Sequence, residues 1–317
     1  MILSKYKLLI ICPLLLCLVL LFPAGAIAAE EPASFTLTVI HTNDFHDYDP
    51  YALAQKATLI KKIRSTAKNV LLLDAGDLYT RGPYHRIFYG ELEMAAYNAL
   101  RYDAWELGNN EFKGRHDLAQ ADEKLYNLIN QAAFPTLCAN IKTSTGEYLP
   151  GVVPYIIKDV NGIKVGIIGV SSLKVKGYRQ GASKIVEDPV KIAADLFPEV
   201  QEKTDIQIIL SHAGLAMDKK MDKQLTEKGL SLIVGGDDHY LIRQPVQREG
   251  GIPIVQAGGE NDIYLGRINL NYQKQNGKWV LLSHYSDLYH ITPDIPLDEE
   301  IKGIIDKYME KAAKPAA

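Results

Sequence analysis

Short β-rich runs, mostly apolar, alternating with amphipathic helical stretches constrain this chain more than any other feature. Val70–Ala75 (VLLLDA), Ile206–Ser211 (IQIILS) and Leu230–Val234 (LSLIV) read as buried strands, the last two separated by a charged helix. Phe35–His41 (FTLTVIH) alternates and then turns apolar, as a first strand would. Ala52–Ala67 sets Leu53, Ala57, Ile60 and Ile63 at helical spacing, with Lys and Arg on the other side. Further helices are predicted at Leu92–Leu100, His116–Gln131, Ile192–Val200 (despite Pro198) and Asp298–Glu310. Ala104–Leu107 reads as a short strand, and Phe134–Ala139 as extended. Val152–Lys158 and Ile163–Val170 form a hairpin around Asn161-Gly162, and late strands follow at Ile252–Ala257, Ile263–Leu270 and Trp279–Tyr289. Strands and helices in this order predict a layered α/β architecture whose hairpins make the sheets mixed.

The amino terminus reads as an export leader. Lys5 and Lys7 precede an apolar run from Leu8 to Phe22, and Ala26 and Ala28 form an A-x-A cleavage site. Residues 1–28 are therefore expected to be removed, leaving 29–317 as an exported domain, whether periplasmic, cell-envelope or secreted. Cys12 and Cys17 lie in the leader, so only Cys138 remains and no intramolecular disulfide can form. No later apolar segment reaches spanning length, so no membrane association is expected after cleavage. Lys+Arg number 35 against 38 for Asp+Glu, and no long basic run appears, which argues against a nucleic-acid polymer as partner.

The chemistry collects where strands end. The first strand runs into Asn43-Asp44-Phe45-His46, the second into Gly76-Asp77, and the short third into Gly108-Asn109-Asn110-Glu111. Ser211-His212 and Gly235-Gly236-Asp237-Asp238-His239 follow the two later buried strands. A single Gly-Asp after a strand is ordinarily a turn or a helix cap, and a lone Ser-His a structural histidine. Five such pieces in order, each directly after a predicted strand, are another matter. Carboxyl ends of strands form the ligand crevice in α/β sheets. Asp, Asn and His supply the oxygen and nitrogen donors that Mn, Zn or Mg accept. Two ions about 3.5–4 Å apart need one bridging carboxylate and several further ligands, and the inventory suffices.

From about Phe35 to Tyr289 the chain resembles the calcineurin-like metallophosphoesterase superfamily, and within it the amino-terminal catalytic domain of the bacterial 5'-nucleotidase and 2',3'-cyclic phosphodiesterase family. The H-T-N-D-x-H motif is matched by His41–His46, and the family's Gly-Asp loop falls on Gly76–Gly82. G-N-H-E-F is matched by Gly108–Phe112 with Asn110 in place of His, and G-H-x-H by Gly236–His239 with Asp237 in place of the first His. The isolated histidine is His212. The resemblance implies a metallophosphoesterase-type β-sandwich with mixed sheets flanked by helices. It implies Asp44, His46 and His239 on a first divalent ion, Asp77 bridging, and Asn109, His212 and Asp237 on a second. It further implies hydrolysis of small-molecule phosphate esters, including nucleotides, through in-line attack by metal-generated hydroxide with no covalent phosphoenzyme. The family's second domain, which grips the nucleoside, is expected to be absent.

Two departures bear on rate. Asp237 makes the second site harder, tilting it toward Mn or Mg and away from Zn, or lowering its occupancy. Asn110 can donate a hydrogen bond to a phosphoryl oxygen but cannot deliver a proton, a loss of about 10²–10⁴-fold on poor leaving groups. The competing expectation is a weakened or inactive metal- or ligand-binding protein on the same fold. His116 could stand in for the missing acid, though it reads better as the start of a helix. Arg81 and His85 could reach a phosphate, but a solvated loop is the commoner outcome. Asp238 is expected to point away from the metals and Glu111 to fix a neighbouring loop. His41, His284 and His290 read as structural.

Overall fold

The structure, a computed structural model, describes residues 33–46, 49–79, 81–114, 118–259 and 262–313. The expected leader, 1–28, and His116 lie outside the described residues. Strand β1 (Ser34–Thr42) leads through helix α1 (Tyr51–Thr66) to β2 (Val70–Asp74), then through α2 (Glu91–Leu100) to β3 (Ala104–Glu106). Helix α3 is Leu118–Gln131. The hairpin β4 (Tyr155–Val160) and β5 (Ile163–Val170) follows, then α4 (Pro189–Lys203), β6 (Ile206–Ser211), α5 (Leu215–Leu225) and β7 (Leu230–Gly235). The chain continues into a long hairpin, β8 (Asp262–Gln275) and β9 (Lys278–His290), and into α6 (Glu299–Ala312).

Two sheets result. In one, β8 lies antiparallel to β1, followed by β2 and β3 in parallel, with short outer strands at Thr136–Leu137 and Val152–Val153. In the other, β5, β6 and β7 run parallel, with β4 antiparallel at one edge and Ile254–Val255 at the other.

The alternation of side chains fixes the layering. Leu37, Val39, Leu71 and Leu73 of the first sheet share one core with Val165, Ile167, Leu210, Leu232 and Val234 of the second, so the sheets pack face to face. Ile40 and Leu72 point the other way, against Leu53 and Ile60 of α1, Leu92 of α2, Leu125 of α3 and Ile305 of α6. Ile209 and Ile233 meet Ile192 and Phe197 of α4 and Met221 of α5. Strands buried on both faces have to be apolar throughout, and this accounts for the runs in the sequence. Among the described residues no helix is long and apolar enough to cross a membrane.

Several boundaries move outward from their sequence expectation. Helix α4 starts early because the Asp188 side chain accepts from Val190 N (2.8 Å) and Lys191 N (3.1 Å) ahead of Pro189 in the first turn. Strand β8 extends past Leu270 because its polar side chains pair across to β1: Thr36 and Thr38 hydroxyls donate to Asn271 and Asn269 at 2.9 and 2.8 Å. Lys56, read as part of the solvated side of α1, is instead only 2% exposed. It sits 4.8 Å from the centre of the Phe45 ring, and burial lowers its pKa to about 8.

Candidate metal centre

In each sheet the parallel strands that carry these side chains end nearly level. Thr42 stands beside Asp74 and Asp74 beside Trp105, while Ser211 stands beside Gly235 across the sandwich. Each strand turns sharply at its end, and the turn aims the next side chains inward. Asp44, His46, Asp77, Asp237 and His239 all hold a left-handed backbone, with φ between 51 and 78°. Side-chain-bearing residues seldom adopt that conformation, and it gathers at functional sites where the surrounding fold enforces it. Gly108 permits the approach of two such loops, because a Cβ there would run into Asp77 Oδ1 and the Asp77 backbone N.

The side chains converge. His239 Nε2 lies 3.1 Å from Asp44 Oδ1 and 3.2 Å from His46 Nε2, and His46 Nε2 lies 3.6 Å from Asp77 Oδ2. One donor atom from each of Asp44, His46, Asp77 and His239 falls within 4.8 Å of every other, which makes this a candidate group for a divalent cation. His212 Nε2 stands 3.3 Å from Asp77 Oδ2 and 3.8 Å from both Asp237 Oδ1 and Asp44 Oδ1. Asp77 Oδ2 is therefore within 3.6 Å of both the His46 and the His212 Nε2 atoms, as a bridging carboxylate would be. Asn109 brings its amide to 2.6 Å from Asp237 Oδ1 and 3.1 Å from the Tyr178 hydroxyl. Donating to Asp237 satisfies that amide within the protein alone; the opposite orientation turns two oxygens toward each other, which a cation between them stabilises.

The buried donors fit a cation. His212 Nδ1 donates to Ala75 O at 2.5 Å, so Nε2 is the nitrogen that faces the carboxylates, the tautomer a metal ligand needs. His212 Nε2 and Asp44 Oδ1 are buried without a hydrogen-bond partner. Burial opposes charge on His212, yet Asp77 and Asp44 overcome it and raise its pKa well above the ordinary value. Burial likewise opposes ionisation of Asp77, yet the His212 and His46 imidazoles hold its carboxyl well below the usual range. Burial lowers the His46 pKa to about 4, so that imidazole is neutral near pH 7. The protein thus answers its crowded carboxylates with a proton on His212, in a place where a divalent ion would serve better.

A supporting shell holds these groups. Asn43 donates to Asp44 Oδ2 (2.7 Å) and Gly258 O (2.5 Å) while accepting from Ala257 N (2.7 Å). Glu111 accepts from Asp77 N (3.1 Å), Leu78 N (2.9 Å) and Gly108 N (2.7 Å), tying two site loops together as expected. Burial, followed by the nearby Asp77 charge, raises its pKa to about 8. Asn110 is buried, and both its backbone N and its side-chain amide donate to Asp77.

The remaining candidates are also located. Asp238 turns away and accepts from Leu215 N at 2.6 Å. His41 is buried against Gly266, His284 contacts Gln247 Oε1 at 2.9 Å, and His290 stacks on Tyr264. Arg81 and His85 line a cavity that reaches Asn110. Sequence reasoning missed Lys174, whose Nζ lies 2.8 Å from Asp237 Oδ1, and Tyr178 beside Asn109. Both follow β5, a further parallel strand end, and that position was the available signal.

Comparison with known proteins agrees with the geometry. The calcineurin-like phosphoesterase family model matches residues 37–241. The human 5'-nucleotidase is 29% identical, the match covering 92% of this chain and 56% of that protein. A 5'-nucleotidase precursor from Thermus thermophilus superposes with a TM-score of 0.76 at 25% identity, covering 88% of this chain and 59% of that one. A calcineurin-like phosphoesterase from Bacillus subtilis gives 0.73 at 26% identity, covering 88% and 98%. The chain thus spans about half the length of the curated relatives it matches. All the candidate ligands, from Asp44 to His239, fall inside the matched segment and on its strand ends, and the chain belongs to the calcineurin-like phosphoesterase family.

Proposed function

We propose that this chain is an exported hydrolase of small phosphate esters, nucleotides among them, working with divalent cations. The observation that carries the reading is the four-residue donor group, buried but for the half-buried His239, with Asp77 Oδ2 within 3.6 Å of both His46 and His212. Asp44, His46, His239 and Asp77 would hold one ion, and Asp77, Asn109, His212 and Asp237 a second. Bound there, such ions supply Lewis acidity to a phosphoryl oxygen and a water acidic enough to ionise near neutral pH.

The chain's own residues do the rest. Asn43 and Glu111 hold the Asp44 and Asp77 loops in place, so the donors are set before a substrate arrives. Asn110, whose amide rests on Asp77, would transfer that hydrogen bond to a phosphoryl oxygen of bound substrate. It has no proton to give a departing alkoxide, so esters of acidic alcohols should turn over best. The names of the relatives, 5'-nucleotidases, support nucleotides as candidate substrates.

One observation favours a second reading, a binding protein that retains a single ion. The Lys174 ammonium already sits on Asp237, inside the proposed second set. Metal analysis and turnover of an activated aryl phosphate with Mn separate the two readings. Two bound ions, with turnover that Asp77→Ala removes together with metal, are expected; one ion and no turnover under any of Mn, Zn or Mg would leave only the binding protein.

A further inference from the structure

Beside the metal centre, and continuous with it through Asn110, lies a cavity of about 620 Å³. Its wall is cationic: Arg81 and Arg86 come from the segment after Asp77, Lys113 from the turn after Asn110, and Lys124 from α3. The one carboxylate in the lining, Glu111, has both oxygens committed to the backbone amides of Asp77, Leu78 and Gly108. Tyr79 and Tyr89 add two ring surfaces, and the Lys124 ammonium lies 3.1 Å from the centre of the Tyr89 ring.

We propose that this cavity receives a second anionic group on the alcohol side of the ester, so that the preferred substrates carry negative charge at both ends. This rests on the phosphoesterase reading, since the cavity matters to substrate only if the scissile phosphate sits at the metal centre. The argument is one of charge and place. Four cationic side chains line the space against one acid, Glu111, whose oxygens accept from backbone amides, and the space opens on the residue that touches Asp77. Arg in such a wall forms paired, charge-assisted hydrogen bonds to phosphate or carboxylate, and Lys adds point charge. An uncharged leaving group would use none of this, and a purely aromatic one would use only Tyr79 and Tyr89. A distal phosphate or carboxylate would meet the cationic wall, Arg86 and Lys113 within it.

Non-hydrolysable probes keep the test independent of turnover. The Mn-loaded chain is titrated calorimetrically with 4-carboxybenzylphosphonate, with its neutral, shape-matched 4-carbamoyl analogue, and with xylylene-1,4-bisphosphonate. Both anionic probes should bind at least about tenfold tighter than the amide, the size of one good charge-assisted contact. The tighter of the two identifies the distal group as carboxylate or phosphate. In Arg86→Gln/Lys113→Gln that preference should fall to within about threefold, and Arg86→Lys/Lys113→Arg should restore most of it. Equal binding of all three probes, no binding of any, or a preference that survives the double glutamine change overturns the proposal. Aryl phosphate turnover is scored separately: turnover without the preference leaves the phosphoesterase reading standing and removes this one alone.

Discussion

The two halves of the candidate metal centre share Asp77 but are built to different standards. On one side Asp44, His46 and His239 close around a point, with Asp44 held by Asn43 and by Asp237 N at 3.0 Å. On the other side His212 is fixed by Ala75, but Asn109 and Asp237 are engaged with each other, and Asp237 also holds Lys174 at 2.8 Å. On the proposed reading the first half takes its cation from solution, whereas Asp237 in the second already pairs with the Lys174 ammonium. Exchanging imidazole for carboxylate at position 237 adds a negative charge, and the lysine returns the local charge to what an imidazole would leave. The substitution and the lysine read as one change rather than two, and on the proposed reading a weaker second ion would follow.

The comparison breaks if any shortfall in activity traces to Asn110 instead. That residue serves neither half as a ligand in this reading, yet it governs whether a poor leaving group can be protonated. Asn110→His should raise kcat on alkyl phosphates by about 10²–10⁴-fold while leaving nitrophenyl phosphate nearly unaffected. A Brønsted series of leaving groups checks it: the slope should flatten in the variant. An equal gain across the series, or none, would show that Asn110 does not govern leaving-group protonation and would leave the second half of the centre as the place to look.

How far the sequence carried this comparison depends on the kind of residue. The runs VLLLD, IQIILS and LSLIVG were legible because strands buried on both faces are mostly apolar, and their order gave the layers. Asp44, His46, Asp77, His212 and His239 were legible because each directly follows such a strand. Lys174 was not, since a lysine four residues past Val170 looks like any solvated loop cation until Asp237 is seen beside it. Lys56 failed for the opposite reason: helical spacing placed it among polar neighbours, while the Phe45 ring and Asp74 below it depend on tertiary packing. The cationic cavity draws on three separate segments, and no local pattern announces that.

The lysine can be removed directly. Lys174→Met leaves Asp237 with an unbalanced charge facing His212 and Asn109, so affinity for a second Mn should rise by roughly 10–100-fold, the usual scale for a neighbour that tunes a ligand. Asp237→His in the same background should shift preference from Mn toward Zn. Titration followed by metal analysis reads both. Unchanged stoichiometry and affinity in Lys174→Met would mean the ion pair is a surface contact, and the contrast between the halves would then rest on residue type alone.

The finest contrast is in protons. In the first half His46 is lowered to about 4 by burial, so above about pH 5 no proton need leave it when an ion binds there. In the second half burial lowers His212, but Asp77 and Asp44 raise it further, well above its ordinary value, so it is protonated in the metal-free protein at neutral pH. The sign follows. Protonation of His212 adds stability to the metal-free fold that is present below the unfolded pKa and fades as pH rises through the folded one. Metal binding runs the other way, since an ion at Nε2 must displace that proton. Second-ion affinity should therefore climb about tenfold per pH unit up to the raised pKa, while above about pH 5 His46 has no proton to lose when the first ion binds. Calorimetry in buffers of different ionisation enthalpy should find about one proton released from His212 with the second ion and none from His46 with the first. Equal release from both would show that the halves share one protonation equilibrium, and that Asp77 couples them more tightly than their separate residues imply.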